Sequence, residues 1–296
     1  MIRSFCPGRI SFSPFSATVR CHRITGPAFF MTMVTLVLIL RLSLEGFAGA
    51  SGDLTIAGNG PEQTTIEALA RAFEKLNPRA YIDIDWDEHS RPIEMVKADH
   101  AHLAVTGSED PALISTQIGW DGIGILIHLS NFTKELSRHQ VADIFTGKTR
   151  NWAELGGPDA TILLIDRPAN QNIREAFESY LGIKGKISDT AKMIGSDEVV
   201  VKTVVGTLPP RSATTFLSLS TGLSAVSSGV AVRLVAVDKV EPEAPTVKDG
   251  RYGLRRPLLI LSRREANPLA EAFLQFTLSA QGQSIIGETY IPLSNR

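Results

Sequence analysis

Hydrophobic and polar positions along the chain follow two alternating periods, one typical of strands and one typical of helices. Short apolar or alternating runs predict strands, which cover residues 54–57, 81–86, 103–105, 123–129, 161–165, 231–237 and 258–261. Amphipathic stretches predict helices, which cover residues 62–76, 137–145, 172–181 and 268–278. Residues 216–230 fit neither period, and residues 239–250 are interpreted as a polar loop. This order of strands and helices is typical of an α/β fold.

The first 50 residues have the pattern of a secretory signal peptide. Four arginines precede its apolar core, namely Arg3, Arg9, Arg20 and Arg23. The core is an uncharged stretch of 17 residues from Ile24 to Leu40, shorter than the ~20 residues that span a bilayer. Small residues at 48–50 follow it and suit a cleavage site. We therefore predict a signal peptide at residues 1–50, cleaved after Ala50, and a periplasmic or otherwise extracytoplasmic location. The alternative is an uncleaved anchor, because apolar residues continue beyond Arg41.

Removal of residues 1–50 changes the charge and the chemistry available to the protein. It takes away five arginines and one glutamate, so that the 30 basic and 31 acidic residues of the whole chain become 25 and 30, a net charge of −5. Both cysteines, Cys6 and Cys21, lie in the removed segment. Disulfides, thiolate zinc sites and cysteine nucleophiles are therefore excluded for the mature chain. Without a basic excess, it is not expected to bind nucleic acid.

Three stretches of the mature chain carry recognisable motifs. The first begins with WDGIGILIHLSN at Trp120 and continues through the turn IFTGKTRNW to Arg167. The second is GRYGLRRPLLIL, which starts at Gly250, and the third is FLQFTLSAQGQSIIGETYIPL, which starts at Phe273. These stretches resemble the phosphate-type periplasmic substrate-binding proteins of ABC importers, which belong to the type II periplasmic-binding-protein family.

The resemblance implies a two-lobed α/β fold with a ligand cleft between the lobes. Residues 51–125 and 253–296 would form one lobe, and residues 126–252 the other. It also implies a non-enzymatic, monomeric protein without a cofactor, which binds phosphate or a related anion and delivers it to an inner-membrane ABC permease. The alternative is an extracytoplasmic sensor or interaction module that keeps the fold but has lost phosphate binding.

Four loops resemble the anion-binding loops of that family and supply the candidate ligand residues. Backbone N–H groups at helix starts and a guanidinium are suited to holding a dehydrated oxyanion. The residues assigned on this basis are Asn59, Gly60, Ser90, Arg167, Gln171, Asn172 and Ile173. For Arg167 the alternative is a structural ion pair at the end of a strand. Arg174, further along the same predicted helix, is interpreted as a solvated surface arginine.

The same loops depart from the family pattern. Glu62 stands where the family has a hydroxyl ligand, and a carboxylate there repels a bound anion. The second loop, which includes His89, lacks the family's glycines, and Gly107 stands where an aspartate acceptor is expected. Residues 171–173 replace a Ser-Gly-Thr triplet. Three interpretations remain open, namely a different anion, a different class of ligand, or loss of tight binding.

Histidines and acidic residues offer two further candidate sites. His89, His100 and His102 suggest a metal site, although we favour polar surface positions for all three. Asp83 and Asp85 belong to an acidic set that a cation or an amine could bind, but we favour the solvated face of an alternating strand. No metal ligand is therefore assigned.

Overall fold

The computed structural model describes residues 50–265 and 267–293, in which strands and helices alternate. The strands are β1 (Ser51–Gly58), β2 (Arg79–Trp86), β3 (Leu103–Thr106), β4 (Ile114–His128), β5 (Glu135–Leu136), β6 (Leu163–Asp166), β7 (Lys192–Met193), β8 (Ala213–Ser218), β9 (Val232–Val237), β10 (Arg255–Ser262) and β11 (Ile291–Pro292). The helices are α1 (Gln63–Leu76), α2 (Pro92–Lys97), α3 (Arg138–Phe145), α4 (Asn172–Leu181), α5 (Asp197–Gly206), α6 (Leu219–Ser227), α7 (Ala244–Lys248), α8 (Pro268–Leu278) and α9 (Ala280–Ile286).

Strand β4 belongs to two sheets and joins the two lobes. Its first part, Ile114 to Gly122, pairs antiparallel with β10, and its second part, Ile123 to Ile127, pairs antiparallel with β8. The first sheet has the order β2-β1-β3-β10-β4-β11, and the second has the order β5-β9-β4-β8-β6-β7. We call the first sheet with its helices lobe 1 and the second lobe 2. The chain therefore changes lobe inside one continuous strand.

The lobe boundaries suggested by the resemblance, at residues 125/126 and 252/253, stay a prediction. The predicted signal peptide lies outside the described residues, apart from Ala50. Within the described ranges, no helix combines the length and the apolar character needed to cross a bilayer.

Hydrophobic periodicity located seven of the eleven strands and four of the nine helices in the described residues. The predicted helices at 172–181 and 268–278 are confirmed as α4 and α8 with the same ends. The ambiguous run at 216–230 contains the end of β8 followed directly by α6, and the predicted loop at 239–250 contains the short helix α7. Helix α5 was missed because its valines favour strands. Three of them, Val200, Val201 and Val204, nevertheless lie on one buried helical face.

Aromatic side chains fill the core of each lobe. In lobe 2, Phe177 stacks on Phe216 with ring centroids 4.0 Å apart, and Phe145 meets Phe177 edge-on at 4.7 Å. In lobe 1, Phe73 and Phe273 meet edge-on with centroids 5.5 Å apart. Phe145 and Phe216 also meet, with centroids 5.6 Å apart, so three completely buried rings contact one another. Phe177 makes the two shortest of these contacts.

Replacing Phe177 with alanine should therefore leave a large cavity. We expect Phe177→Ala to lower the free energy of unfolding by about 3–5 kcal/mol, measured by urea denaturation. The matched control is Phe132→Ala, because Phe132 is 54% exposed and its loss should change stability by no more than about 0.5 kcal/mol. Equal effects for the two variants would contradict the assignment of the core.

Candidate functional site

A groove lies where loops of the two lobes face each other. Its volume is about 1020 Å³. Asn59 and Ser108 line it from lobe 1, and Asn170, Gln171 and Asn172 line it from lobe 2. Three of the predicted ligand residues, Asn59, Gln171 and Asn172, therefore share one surface. The other four predicted residues, Gly60, Ser90, Arg167 and Ile173, are not among the residues that line it.

The start of α4 forms the lobe 2 side of this groove. Gln171 occupies the N-cap position, and Asn172 is the first residue of the helix. Among the hydrogen bonds of the described residues, none uses the backbone N–H of Asn172 or Ile173. First-turn N–H groups and the helix dipole make such a helix start favourable for an anion.

Arg167 lies beneath the helix start with 1% of its surface exposed. Its Nη2 is 2.6 Å from Asp197 Oδ1 and also donates to the carbonyl of Gly195. Its Nε donates to Gln171 Oε1 at 3.3 Å. The buried Nη1 has no hydrogen-bond partner among the described residues. The structural ion pair considered as an alternative is therefore present, and a ligand contact through Arg167 stays a prediction.

Arg256 is a second buried arginine, which sequence reasoning missed. It is completely buried, and its Nη1 donates to Asn172 Oδ1 at the start of α4. Its Nη2 donates to Glu62 Oε1 and, at 2.9 Å, to Asp121 Oδ2. Its Nε donates to Asp121 Oδ2 at 3.2 Å. The carboxylate of Glu62, expected to face a bound anion directly, is instead paired with a cation.

The alternation of β10 explains why Arg256 turns inward. Its neighbour Arg255 is half-buried, and its guanidinium lies 4.2 Å from the ring centroid of Trp120. Successive side chains of a strand point to opposite faces, so one arginine of the pair reaches the interlobe region and the other stacks on an aromatic ring. The stretch GRYGLRRPLLIL alone does not indicate which of the two arginines, Arg255 or Arg256, points toward the interlobe region.

Ser218 connects the two arginine clusters. Its hydroxyl donates to Asp121 Oδ1 at 2.9 Å, and its backbone N–H donates to Asp197 Oδ2 at 3.1 Å. We call the five charged residues joined in this way the interlobe charge cluster, which consists of Glu62, Asp121, Arg167, Asp197 and Arg256. Two cations and three carboxylates give it a formal charge of −1.

Burial dominates the electrostatics of this cluster. It raises the pKa of Asp121 to about 6, against the opposing effect of Arg256. Burial also disfavours the charged form of Arg256, but Glu62 and Asp121 together hold the pKa of that arginine above its ordinary value. The guanidinium of Arg256 therefore stays charged, and Asp121 takes up a proton in mildly acidic solution.

The remaining predicted residues are engaged in bonds within the protein. Asn59 Nδ2 donates to the carbonyl of Ser90 at 3.1 Å and to that of Asn170 at 3.0 Å. The hydroxyl of Ser90 donates to the carbonyl of Gly58 at 3.0 Å. The carbonyl of Gly60 accepts from the indole of Trp86 at 2.9 Å. Asn59 and Ser90 thus help to hold the loops of the groove in place.

Gly107 lies against the centre of the site. A Cβ atom added to it would be 3.0 Å from Asn172 Oδ1 and 3.4 Å from Arg256 Cδ. Asn172 and Arg256 therefore occupy the space that a side chain at position 107 would need. This is the position where the resemblance leads one to expect an acidic acceptor.

Arg174 corrects one interpretation made from the sequence. It was interpreted as a solvated arginine, but only 17% of its side chain is exposed. Its Nη2 pairs with Asp166 at 2.9 Å and with Glu178 at 3.4 Å. Glu178 is four residues further along the same helix, whereas Asp166 lies on strand β6. The helical period alone therefore does not indicate the pair between Arg174 and Asp166.

The histidine and acidic sets have simpler surroundings. His102 Nδ1 accepts from the backbone N–H of Thr55 at 2.9 Å, and His89 is exposed. In the part of the chain that the structure describes, no group of three or more histidines and carboxylates is arranged to hold a metal ion. Asp83 and Asp85 are exposed, which confirms that they form the solvated face of β2.

Comparison with known proteins identifies the fold just described. Residues 45–281 match the family model of a PBP superfamily domain. The chain belongs to the PBP superfamily. This member of the PBP superfamily is 28% identical over 264 residues to the phosphate-binding protein PstS of Bacillus subtilis, an alignment that covers 86% of this chain and 85% of the relative.

Solved structures agree with this assignment to the PBP superfamily. A putative phosphate ABC transporter substrate-binding protein with bound phosphate from Clostridium perfringens matches with a TM-score of 0.74 and 26% identity, and covers 82% of this chain and 100% of that one. An ABC-type phosphate transport receptor from Vibrio cholerae shares the fold with a TM-score of 0.70 at 23% identity, covering 81% and 100%. The resemblance and the two-lobed α/β fold inferred from the sequence are thereby confirmed.

The raised pKa of Asp121 predicts a pH dependence of stability. The folded protein binds the Asp121 proton more tightly than the unfolded chain does, so this contribution is fully present below about pH 4 and is lost as the pH rises through about 6. We expect the stability of the wild type relative to Asp121→Asn to fall over this window, measured by urea unfolding at each pH. Asp83→Asn, which alters an exposed carboxylate, should leave the slope unchanged. A parallel slope in wild type and Asp121→Asn would contradict the prediction.

Removing the cation of the cluster should be costly. We expect Arg256→Met to lower the free energy of unfolding by about 3–5 kcal/mol, because two buried carboxylates lose their partner. Adding Glu62→Gln and Asp121→Asn to that variant should restore much of the loss. Arg251→Met is the control, since Arg251 lies on the surface and pairs with Asp249. A loss below about 1 kcal/mol for Arg256→Met would contradict the role of Arg256.

Proposed function

We propose that this protein is an exported solute-binding protein of the phosphate ABC transporter type, which binds phosphate or a related oxyanion between its lobes. The observation that carries the proposal is the convergence of two buried guanidiniums on the start of α4. Arg167 contacts Gln171 and Arg256 contacts Asn172, next to two first-turn N–H groups. A buried guanidinium and unused N–H groups are the donors that an oxyanion needs when it leaves water.

The relatives support the choice of phosphate. The Bacillus subtilis protein is named a phosphate-binding protein, and the Clostridium perfringens structure contains bound phosphate. Both are similar to this chain over more than four-fifths of its length. Phosphate as the ligand of this protein is carried over from these two names, and we propose no catalytic role for the groove.

Hydrogen bonds across the mouth of the groove support closure around a ligand. Asn170 Nδ2 donates to the carbonyls of Glu88 at 2.7 Å and Ser90 at 3.2 Å, from lobe 2 to lobe 1. Ser108 Oγ donates to Glu175 Oε2 at 2.6 Å across the same gap. These contacts can form only when the lobes are close together, which is the geometry expected after hinge closure.

The setting of the protein is part of the proposal. The predicted signal peptide would export it, and a monomer in the extracytoplasmic space would present the closed cleft to an inner-membrane ABC permease. Deletion of the gene should then reduce phosphate uptake by cells at low external phosphate.

One observation favours the second candidate, an extracytoplasmic sensor that has lost tight phosphate binding. The interlobe charge cluster contains three carboxylates and two arginines, so an entering anion meets a net negative charge. Direct measurement of binding separates the two candidates, because a sensor of this kind would not be stabilised by phosphate.

The proposed site is tested by placing a negative charge at the start of α4 with the substitution Asn172→Asp. Phosphate should raise the melting temperature of the purified protein, and Asn172→Asp should weaken phosphate binding by about tenfold or more, because a carboxylate beside the groove repels the anion. Calorimetry measures the affinity, with sulfate, molybdate and carboxylates as competing candidates.

The control is Asn267→Asp, which makes the same substitution at the N-cap of α8, where aspartate also caps well. It should leave phosphate binding unchanged. If no anion shifts the melting temperature of the wild type, the transport function is wrong. If Asn172→Asp binds phosphate as tightly as the wild type, the anion site lies elsewhere.

A further inference from the structure

Glu62 lies at the start of helix α1, but its carboxylate does not cap that helix. It is the N-cap residue of α1, beside first-turn N–H groups that favour a negative charge. Here the side chain makes no capping hydrogen bond and reaches Arg256 instead. Its residue is 2% exposed, and its second oxygen, Oε2, is buried without a hydrogen-bond partner among the described residues.

This arrangement has an energetic cost that Arg256 must offset. A buried carboxylate oxygen without a donor keeps its full desolvation penalty, and α1 has no side-chain cap. Among the described residues, Arg256 is the only hydrogen-bond partner of the Glu62 side chain. Asp121 is held more firmly, because it accepts from Ser218 as well as twice from Arg256.

The hydrogen-bond inventory of Arg256 shows which contact an anion could replace. A guanidinium has five N–H groups. Two point to Asp121, one to Glu62 and one to Asn172, and the second hydrogen of Nη1 has no acceptor among the described residues. Asn172 lines the groove, whereas Glu62 and Arg256 lie behind it. Nη1, which donates to Asn172, is therefore the part of Arg256 closest to an incoming ligand, and the Nη2 that holds Glu62 is its neighbour on the same guanidinium.

We propose that Glu62 is a tethered carboxylate that competes with the bound oxyanion for Arg256. This inference rests on the proposed function. An oxyanion at the start of α4 takes over the Nη2 hydrogen held by Glu62 and, at the same time, the N–H groups of Asn172 and Ile173. Because Glu62 is part of the same chain, its effective concentration at Arg256 is high, and it raises the anion concentration at which the site fills.

The competition also predicts which ligands can enter. A monoanionic carboxylate offers no more to Arg256 than Glu62 already does, so it gains little by exchange. A tetrahedral oxyanion with several ionised oxygens can satisfy Arg256 and the start of α4 together. Glu62 therefore selects for such oxyanions and against simple carboxylates.

The experiment is calorimetric titration of the purified protein with inorganic phosphate and with acetate. Glu62→Gln keeps the shape of the side chain and removes its charge, and we expect it to bind phosphate at least about tenfold more tightly than the wild type. Glu62→Ser removes the competitor entirely and should bind phosphate more tightly as well. Both variants should also lose discrimination against acetate. Melting curves of the unliganded variants establish that each one is folded.

Glu67→Gln is the matched control. Glu67 lies five residues further along the chain, in α1, and its carboxylate accepts from Gln63 rather than from an arginine. Its substitution by glutamine therefore removes the same charge close to the start of the same helix. This variant should bind phosphate as the wild type does. A gain in this control equal to that of Glu62→Gln would overturn the inference, since the effect would then be a general loss of negative charge.

The outcomes separate this inference from the proposed function. If the wild type binds phosphate and neither Glu62 variant binds it more tightly, competition by Glu62 is wrong and the proposed function stands. If only the Glu62 variants bind phosphate, the inference is supported and the wild type is the sensor-like alternative. If no form binds phosphate, both fall.

Discussion

A guanidinium buried between two lobes needs carboxylate partners, and the need of Arg256 for them shapes the centre of this protein. It draws Glu62 from the start of α1, Asp121 from β4 and Asn172 from the start of α4 into one cluster. Each partner belongs to a different element, so the ion pairs also fix those elements relative to one another. Removing water from this region strengthens every one of these interactions and raises the cost of leaving any of them unpaired.

Family membership and site chemistry answer different questions about this chain. The PBP superfamily match and the related structures establish how the backbone is folded. The side chains of the cluster decide what can bind, because a fold alone does not determine a ligand. Glu62 illustrates the difference, since it lies in a loop that resembles a family anion loop and yet brings a negative charge to it.

Local pattern predicted about half of the helices, most of the strands and only part of the site. Helix α4 was located to the residue, because amphipathic spacing is a property of neighbouring positions. The cluster depends on contacts between residues 84, 135 and 194 positions apart in the chain, and no period in the sequence reports such distances. Helix α5 was missed for a related reason, since packing against lobe 2 overrode the strand preference of its valines. Arg174 was misjudged because its partner Asp166 belongs to a neighbouring strand.

The shared strand β4 has a mechanical consequence. Its backbone is hydrogen-bonded along both edges in each lobe, to β10 and β11 on one side of the change and to β8 and β9 on the other. Such a strand cannot stretch or bend sharply without breaking its backbone hydrogen bonds to the neighbouring strands. It can twist, because strands tolerate a wide range of twist. Rotation of one lobe against the other would twist β4 together with the returning connection between β9 and β10, and Asp121 lies in β4 one residue before its pairing with β10 ends. The Asp121 carboxylate that pairs with Arg256 therefore lies close to the point where the chain passes between the lobes, and such a rotation would displace it little.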